Sequence, residues 1–267
     1  MNRAEQALRE LHEMDVLAAG SSPVHALCPA AKFFTTVLYI VLVVSFGKYD
    51  LAGLVPMALF PVLLFQCSGI PMGTCFHKLR FMLPLVLTVG LFNPFFDRAP
   101  YLMLGGLTVS GGVVSMVTLL LKGTLCLTAS FLLMATTRID ALCAALRKLH
   151  VPGRFLTLLL LTYRYVGVLT EEAAVMSDAY ALRAPGQRGV HHRAWGPFLG
   201  QLLLRSMDRA EELYAAMRLR GYHSHFHYAL AAPCTVRDAA YLIVCAAAFL
   251  LLRFVPVSEL LGGLLVR

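Results

Sequence analysis

The chain has 267 residues, of which 58% are hydrophobic and only 14% are charged. Soluble domains carry about 25% charged residues, so this composition excludes an ordinary soluble domain and indicates a chain whose solvent is largely lipid. The net charge is +8, and 12 of the 23 Lys and Arg residues lie between Arg138 and Arg220 together with seven carboxylates. A basic block without an interleaved aromatic stacking platform is typical of loops kept inside by the positive-inside rule, so we expect no nucleic-acid partner.

Continuous apolar runs predict membrane-spanning helices, because the strands of a barrel would alternate apolar and polar residues. Residues 1–20 mix charges of both signs and lack an apolar core, so they predict a short amphipathic helix and no secretory signal. The runs are close to the ~20 residues that a bilayer requires. They predict about five spans, at residues 27–46, 51–70, 81–96, 111–136 and 239–255. Residues 99–110 are predicted to be a mostly apolar, Gly-containing loop.

Lys122 lies near the middle of the fourth predicted span. An ionisable residue at that depth is costly, so it marks either a functional site or a lysine that faces the bundle or extends toward a headgroup. We favour the second interpretation for Lys122.

The segment 155–170 is apolar but short, and it is interrupted by Tyr163-Arg164-Tyr165. If it crossed the membrane, the arginines of residues 173–222 would lie outside the cell, against the charge rule. We therefore expect it to lie against the bundle or to enter only the inner leaflet. The predicted fold is an all-α integral membrane protein with about five transmembrane helices and a cytoplasmic amphipathic coupling-helix module. The predicted domains are 1–136, 137–236 and 237–267, the second being the cytoplasmic module.

Residues 194–220 have apolar side chains at the 3.6-residue helical period, which predicts one amphipathic helix. Pro197 suits its first turn and Gly221 suits a left-handed cap at its end. Two similar strings stand in this polar region: Ala181-Leu182-Arg183-Ala184-Pro185-Gly186 and Ala216-Met217-Arg218-Leu219-Arg220-Gly221. Arginine at a helix end offers a rigid, always-charged fork for carboxylates or carbonyl groups of a partner. Two copies suit a partner with two equivalent grooves.

Catalytic patterns are absent: the chain has no phosphate-binding P-loop, no H-E-x-x-H and no G-x-S-x-G. Alternate histidines at His223, His225 and His227 could bind a transition metal, which leaves a membrane-embedded metal-dependent enzyme as an alternative. The seven cysteines are odd in number and have no C-x-x-C pair, so they predict small buried apolar residues and no disulfide framework. We expect no cofactor. A channel or stand-alone carrier would need polar residues lining several spans, and these spans have few.

The polar region resembles CbiQ, the T component of energy-coupling-factor (ECF) transporters, most densely over residues 138–222. The matching stretches are Tyr163-Arg164-Tyr165, Glu171-Glu172, residues 183–186, 205–211 and 214–222. In that family the T component joins two cytosolic ABC ATPases to a membrane substrate-binding (S) subunit, and two Ala-Arg-Gly-type motifs dock into the ATPase pair. The resemblance implies a non-catalytic subunit in a prokaryotic plasma membrane, crossing it several times, with its N-terminus and coupling module in the cytoplasm.

The resemblance also implies the docking residues. They are Ala181, Arg183, Gly186 and Arg188 in the first motif and Ala216, Arg218, Arg220 and Gly221 in the second. Pro185 stands where the family has an arginine, so Arg183 or Arg188 would supply the charge of the first motif. The CbiQ type implies cobalt as the transported ion, with nickel or a vitamin as open alternatives.

Overall fold

A computed structural model of the protein describes residues 12–96, 100–104, 107–187, 189–222 and 235–254. The chain forms two compact units, divided at Val16/Leu17, Arg138/Ile139 and Ala231/Ala232. We call Leu17–Arg138 with Ala232–Arg267 the apolar unit, and Met1–Val16 with Ile139–Ala231 the arginine-rich unit. The elements in chain order are α1 (residues 12–18), α2 (Pro29–Ser45), α3 (Leu51–Leu54), a 3₁₀ turn (Pro56–Ala58), α4 (Leu59–Ser68), α5 (Met72–Phe96), β1 (Pro100–Leu104), β2 (Leu107–Ser110), α6 (Gly111–Thr136), α7 (Ile139–Lys148), α8 (Gly153–Arg183), a 3₁₀ turn (His192–Ala194), α9 (Trp195–Leu219) and α10 (Val236–Phe254).

The described chain is predominantly helical, as predicted, but it contains one short β-hairpin. β1 pairs with β2 in antiparallel register, with Leu104 opposite Leu107. The prediction of a loop over residues 99–110 is wrong for these strands. Tyr101, Val109 and other strand-favouring residues flank the pair Gly105-Gly106, and this combination is a hairpin signal.

The apolar unit packs α2, α4, α6 and α10 around a cluster of aromatic and aliphatic side chains. The rings of Tyr39, Phe60 and Phe249 contact one another, with centroids 4.7 to 5.3 Å apart. The fully buried Tyr39 donates its hydroxyl to the Met57 carbonyl at 3.0 Å, which satisfies the one polar atom of this cluster.

α5 and α6 approach each other closely at a glycine. A Cβ added at Gly123 of α6 would lie 2.7 Å from Cγ1 of Val86 on α5. Small residues allow such close contact between helices in lipid, where packing rather than transfer from water holds helices together.

Two segments of the described chain are long and apolar enough to cross a membrane, judged by length and composition. They are Leu51–Ser68, which includes the 3₁₀ turn, and Gly111–Thr136. Only 33% and 28% of their apolar windows are buried, whereas the core helix of a soluble protein would be mostly buried. Pro29–Ser45 and Met82–Asn93 are apolar but shorter, and α10 contains Arg237, Asp238 and Arg253. Five crossings therefore remain a prediction.

Lys122 faces the end of a neighbouring helix. Its ammonium group donates to the carbonyl oxygens of Val44, in the last turn of α2, and of Phe46, the residue directly after α2. Arg253 of α10 donates to the adjacent Ser45 carbonyl at 3.2 Å. Cations are stabilising at the negative end of a helix dipole, so Lys122 has the contacts of a lysine that faces the bundle.

The cysteines follow the prediction only in part, because Cys75 and Cys143 are buried whereas Cys67 is exposed. Among the described residues, five are free: Cys67, Cys75, Cys126, Cys143 and Cys245. Cys28 is disulfide-bonded, so the prediction is wrong at this position. An odd count without C-x-x-C spacing does not exclude one bond between residues distant in sequence.

The arginine-rich unit consists of α7, α8, α9 and the start of α1. α7 packs on the beginning of α8 through buried side chains, listed here: Cys143, Ala144, Ala145, Leu156 and Thr157. Tyr163 of α8 donates its hydroxyl to the Asp15 carboxylate at 2.7 Å. Burial, and then this hydrogen bond, raise the pKa of Tyr163 to about 12, so the phenol stays protonated at neutral pH.

α8 is one continuous helix of 31 residues. The apolar segment predicted at 155–170 is only its first half, and the helix continues to Arg183. Residues after Thr170 such as Glu171, Ala173 and Met176 favour helix, so no signal ends the helix before Ala184-Pro185.

Candidate functional site

The first arginine string forms the C-terminal end of α8. Ala181 and Arg183 belong to its last turn, and both are exposed. Pro185 ends the helix, because the residue before a proline is driven away from helical geometry. Accordingly Ala184 has φ −126° and ψ 65°. Gly186 follows with φ +96°, and the amide of Gln187 donates to the Ala184 carbonyl, which is the pattern of a type II turn with Pro and Gly at its centre.

The second string forms the C-terminal end of α9. Gly221 has φ +81°, and its amide donates to the Arg218 carbonyl at 3.0 Å. The amide of Tyr222 donates to the Met217 carbonyl at 3.0 Å. These two bonds define a Schellman motif, which needs a left-handed residue after the helix and therefore favours glycine.

The two strings thus differ in how their helices end. Arg220 is the C-cap of α9, whereas the aligned Pro185 lies two positions beyond the end of α8. The departure from the family pattern at Pro185 consequently shortens the first helix. It leaves Arg183 in the last helical turn, and Arg188 lies outside the described residues.

Both helix ends expose apolar side chains beside their arginines. Leu182 is 85% exposed and Leu219 is 91% exposed. Arg183, Arg218 and Arg220 are exposed as well. A Cβ built at Gly186 or Gly221 would meet no atom within 4 Å. Each end therefore presents arginine, leucine and glycine on an open surface, which suits docking to another protein.

An ion pair joins the two helices that carry these ends. Arg205 of α9 donates to the Glu172 carboxylate of α8. The pair lies in a cleft of about 280 Å³ lined by charged side chains from both helices. The other residues of the cleft are Val168, Leu169, Asp208, Arg209 and Glu212. From this pair the helices continue about 16 Å to Arg183 and about 21 Å to Leu219, at 1.5 Å per residue.

α9 packs only loosely against the rest of the described chain. Within the described chain it has no buried residue, and its exposed apolar side chains are large. They are Trp195, Leu199, Leu203, Leu204, Met207, Tyr214 and Leu219. The sequence predicted an amphipathic helix here, and the structure places a helix at this position with its apolar face only partly covered.

Sequence analysis did not predict the pairing of Glu172 with Arg205. The sequence contained no local signal for it, because the two partners are far apart in the chain. The histidines His223, His225 and His227 lie outside the described residues. Among the described residues, no group of three or more His, Cys, Asp or Glu side chains could hold a metal ion.

Comparison with known proteins supports the resemblance. A match to the family described as "CbiQ: Cobalt transport protein" covers residues 20–228. Over 218 residues the chain is 26% identical to the "Energy-coupling factor transporter transmembrane protein EcfT" of Streptococcus equi subsp. equi, covering 76% of this chain and 80% of that protein.

Two shorter matches have higher identity. Over 91 residues the chain is 33% identical to the "Nickel permease LarQ" of Lactiplantibacillus plantarum and 35% identical to the "Cobalt transport protein CbiQ" of Rhodobacter capsulatus. These matches cover 34% of this chain, and 33% and 37% of the two relatives, so they span only about a third of each. Since the family match extends over most of the sequence, the chain belongs to the CbiQ family of cobalt transport proteins.

Proposed function

We propose that this chain is the transmembrane coupling (T) subunit of an ECF-type ABC importer. It is a non-catalytic subunit that joins a cytosolic ABC ATPase dimer to a membrane substrate-binding subunit. The observation that carries the proposal is the pair of open, arginine-bearing helix ends on α8 and α9. The matches to EcfT and CbiQ proteins support it.

The proposed mechanism is mechanical. ATP binds the partner, so its effect reaches the membrane only through a contact that differs between the states of the ATPase. Arginine suits such a contact because its planar fork binds a carboxylate or two carbonyl groups in one fixed geometry. Leu182 and Leu219 would add apolar contact area next to the guanidinium groups. The two helix ends, of α8 and α9, match a partner that has two equivalent surfaces.

Cobalt is the proposed ion. The family description and the Rhodobacter relative name cobalt, and the Lactiplantibacillus relative names nickel. The names of the EcfT relatives state no substrate, so a vitamin stays an alternative. In this arrangement the substrate-binding partner selects the ion. The chain lies in a prokaryotic plasma membrane, with its N-terminus and arginine-rich unit on the cytoplasmic side, as the positive-inside rule favours.

Charge reversal at the second helix end tests the proposal. In cells expressing the native complex, Arg220→Glu should lower recovery of the ATPase with this chain by at least about tenfold, which corresponds to ~1.4 kcal/mol. Uptake of radiolabelled Co²⁺ should fall with it. Ni²⁺ uptake measured in parallel distinguishes the two ions. If the variant loses uptake of a vitamin rather than uptake of a metal ion, the substrate is a vitamin.

Arg193→Glu is the matched control. Arg193 is also exposed and lies just before α9, at the opposite end from the docking string. It should retain both ATPase recovery and uptake. Wild-type recovery and uptake by the Arg220→Glu variant would refute the assignment.

A further inference from the structure

The chain passes between its two units three times, and described residues that adjoin each passage in sequence bond to one buried polar cluster of the apolar unit or to its neighbour His25. The passages are at Val16/Leu17, Arg138/Ile139 and Ala231/Ala232. The cluster contains the charged side chains Lys32 and Asp238, which are 5% and 7% exposed. We call Cys28, Lys32, Thr136, Thr235 and Asp238 the junction cluster.

Lys32 of α2 connects the first two passages. Its ammonium group donates to the carbonyl of Thr136, the last residue of α6, at 2.7 Å. Three residues later, at Ile139, the chain enters the arginine-rich unit. The same ammonium group lies 3.5 Å from the His25 carbonyl, and the His25 ring donates through Nε2 to the Leu17 carbonyl at 3.0 Å. Leu17 is the first residue after the first passage.

Asp238 connects the third passage to α2. Its carboxylate accepts the backbone amide of Thr235 at 2.7 Å and that of Cys28 at 2.8 Å. Cys28 is the N-cap of α2, and Thr235 follows Ala232 by three residues. Asp238 also attracts Lys32 electrostatically. The starts of α2 and α10 and the end of α6 are therefore tied together by one pair of opposite charges.

Stability alone does not explain this arrangement. Removing two charges from water is expensive, and well-packed apolar residues often replace a buried ion pair without loss of stability. What the junction cluster adds is a set of directional bonds to three helix ends. These are the ends that the connections to the arginine-rich unit leave or enter.

We propose that Lys32 and Asp238 are positioning residues for energy coupling. They bond the starts of α2 and α10 and the end of α6 to one another. A displacement of the arginine-rich unit therefore moves these three helices together. Without them each connection would move its own helix, and ATP hydrolysis would continue with less transport. This inference rests on the proposed function.

The opposite end of α2 supplies a matched control. Lys122 of α6 donates to the Phe46 and Val44 carbonyls, so it too joins α2 to α6 by a lysine bonded to the end of a helix. No passage between the units lies near these residues in the sequence. A purely structural role predicts similar effects for both lysines, whereas the proposed role predicts different ones.

The experiment measures the complete complex reconstituted in vesicles. The variants are Lys32→Met combined with Asp238→Asn, which leaves no unpaired buried charge, then Lys32→Arg, which keeps the charge and the donors, and Lys122→Met. For each, the amount of co-purified ATPase, the rate of ATP hydrolysis and the uptake of radiolabelled Co²⁺ are recorded. The decisive quantity is Co²⁺ transported per ATP hydrolysed by assembled complex.

The double variant should assemble and hydrolyse ATP, with Co²⁺ transported per ATP reduced at least about tenfold. Lys122→Met should stay within about twofold of wild type, and Lys32→Arg should restore most of the loss. A wild-type ratio in the double variant, or an equal loss in Lys122→Met, overturns the proposal. Failure of both Lys32 variants to assemble while Lys122→Met assembles also overturns it, because Lys32 would then serve folding alone. If the wild-type chain itself recovers no ATPase, it is the proposed function that fails.

Discussion

Gly221 holds the end of α9 in a backbone conformation that residues with a side chain avoid. Its φ of +81° allows two hydrogen bonds that close the helix, from its own amide and from that of Tyr222. Because these bonds fix the last turn, they also fix the direction in which Arg218 and Arg220 leave the helix. The geometry of the proposed docking surface therefore depends on one glycine.

Gly221→Ala should loosen the last turn of α9. The new Cβ has no neighbour within 4 Å, so the cost comes only from the left-handed conformation and is about 1 kcal/mol or somewhat more. Exchange of the Tyr222 amide with deuterium, followed by mass spectrometry, should become about fivefold faster. Recovery of the ATPase should fall in parallel.

Gly200→Ala is the matched control on the same helix. Gly200 also has open space around its Cβ position, but it lies inside α9, where alanine is favoured over glycine by about 1 kcal/mol. It should slow exchange in the middle of α9. Equal acceleration of exchange in both variants would contradict the role given to the left-handed conformation.

The cap at Gly221 was predictable from sequence, whereas the junction cluster around Lys32 was not. Gly221 follows an amphipathic run that ends in arginines, and this local pattern has one common structural solution. Lys32 lies near the start of the first predicted span, and no local pattern indicates its partners. Its partners Thr136 and Asp238 are more than a hundred residues away, and only the fold brings them together.

At the scale of elements, α8 and α9 depend on their mutual contact for orientation. No residue of α9 is buried within the described chain, and the ion pair between Glu172 and Arg205 crosses between the two helices. Arg205 is 47% exposed, so solvent screens the pair and its contribution to stability is small. We expect its main effect to be on geometry, because opposite charges at these two positions favour one register of α9 on α8.

Charge reversal tests this role. Glu172→Arg or Arg205→Glu alone places like charges opposite each other, so each should lower Co²⁺ uptake several-fold by misaligning the two docking ends. The double variant restores opposite charges and should recover most of the uptake. Glu171→Arg, at the exposed neighbouring position, is the control and should have no effect. Additive losses in the double variant would show that the two side chains do not act as a pair.

The sequence predicted the helix elements better than their lengths and connections. The helix predicted at 194–220 has local signals, and the structure has a helix over Trp195–Leu219. α8 is longer than predicted because its apolar character ends at Thr170 while its helix propensity continues. The hairpin of β1 and β2 was missed because the predicted loop was judged by its glycines rather than by the strand-favouring residues around them.

At the scale of the whole molecule, the charge distribution predicts which side of the membrane each part faces. α8 spans about 46 Å, at 1.5 Å per residue, which is long enough to cross a bilayer. Its first half nevertheless carries Arg154 and Arg164, and most arginines of the chain follow it. The positive-inside rule therefore predicts that both ends of α8 stay on the cytoplasmic side.

Cysteine labelling can test this topology. Arg154→Cys and Leu182→Cys place reactive thiols at exposed positions near the two ends of α8. A membrane-impermeant maleimide should label both in inside-out vesicles and neither in intact cells, after correction for the labelling of the native cysteines. Labelling of one end from each side would show that α8 crosses the membrane, and labelling of Leu182→Cys in intact cells would contradict the proposed function.

The exposed condition of α9 has a consequence for how the cell controls the number of these subunits. A helix that buries none of its side chains opens at low cost, and such segments are the first to be cut by proteases. A bound ATPase dimer would cover α9, whereas α9 would stay accessible in copies of this subunit that have no ATPase partner. Surplus subunits would then be degraded selectively, and the abundance of this chain would follow that of its partner without separate control of its synthesis.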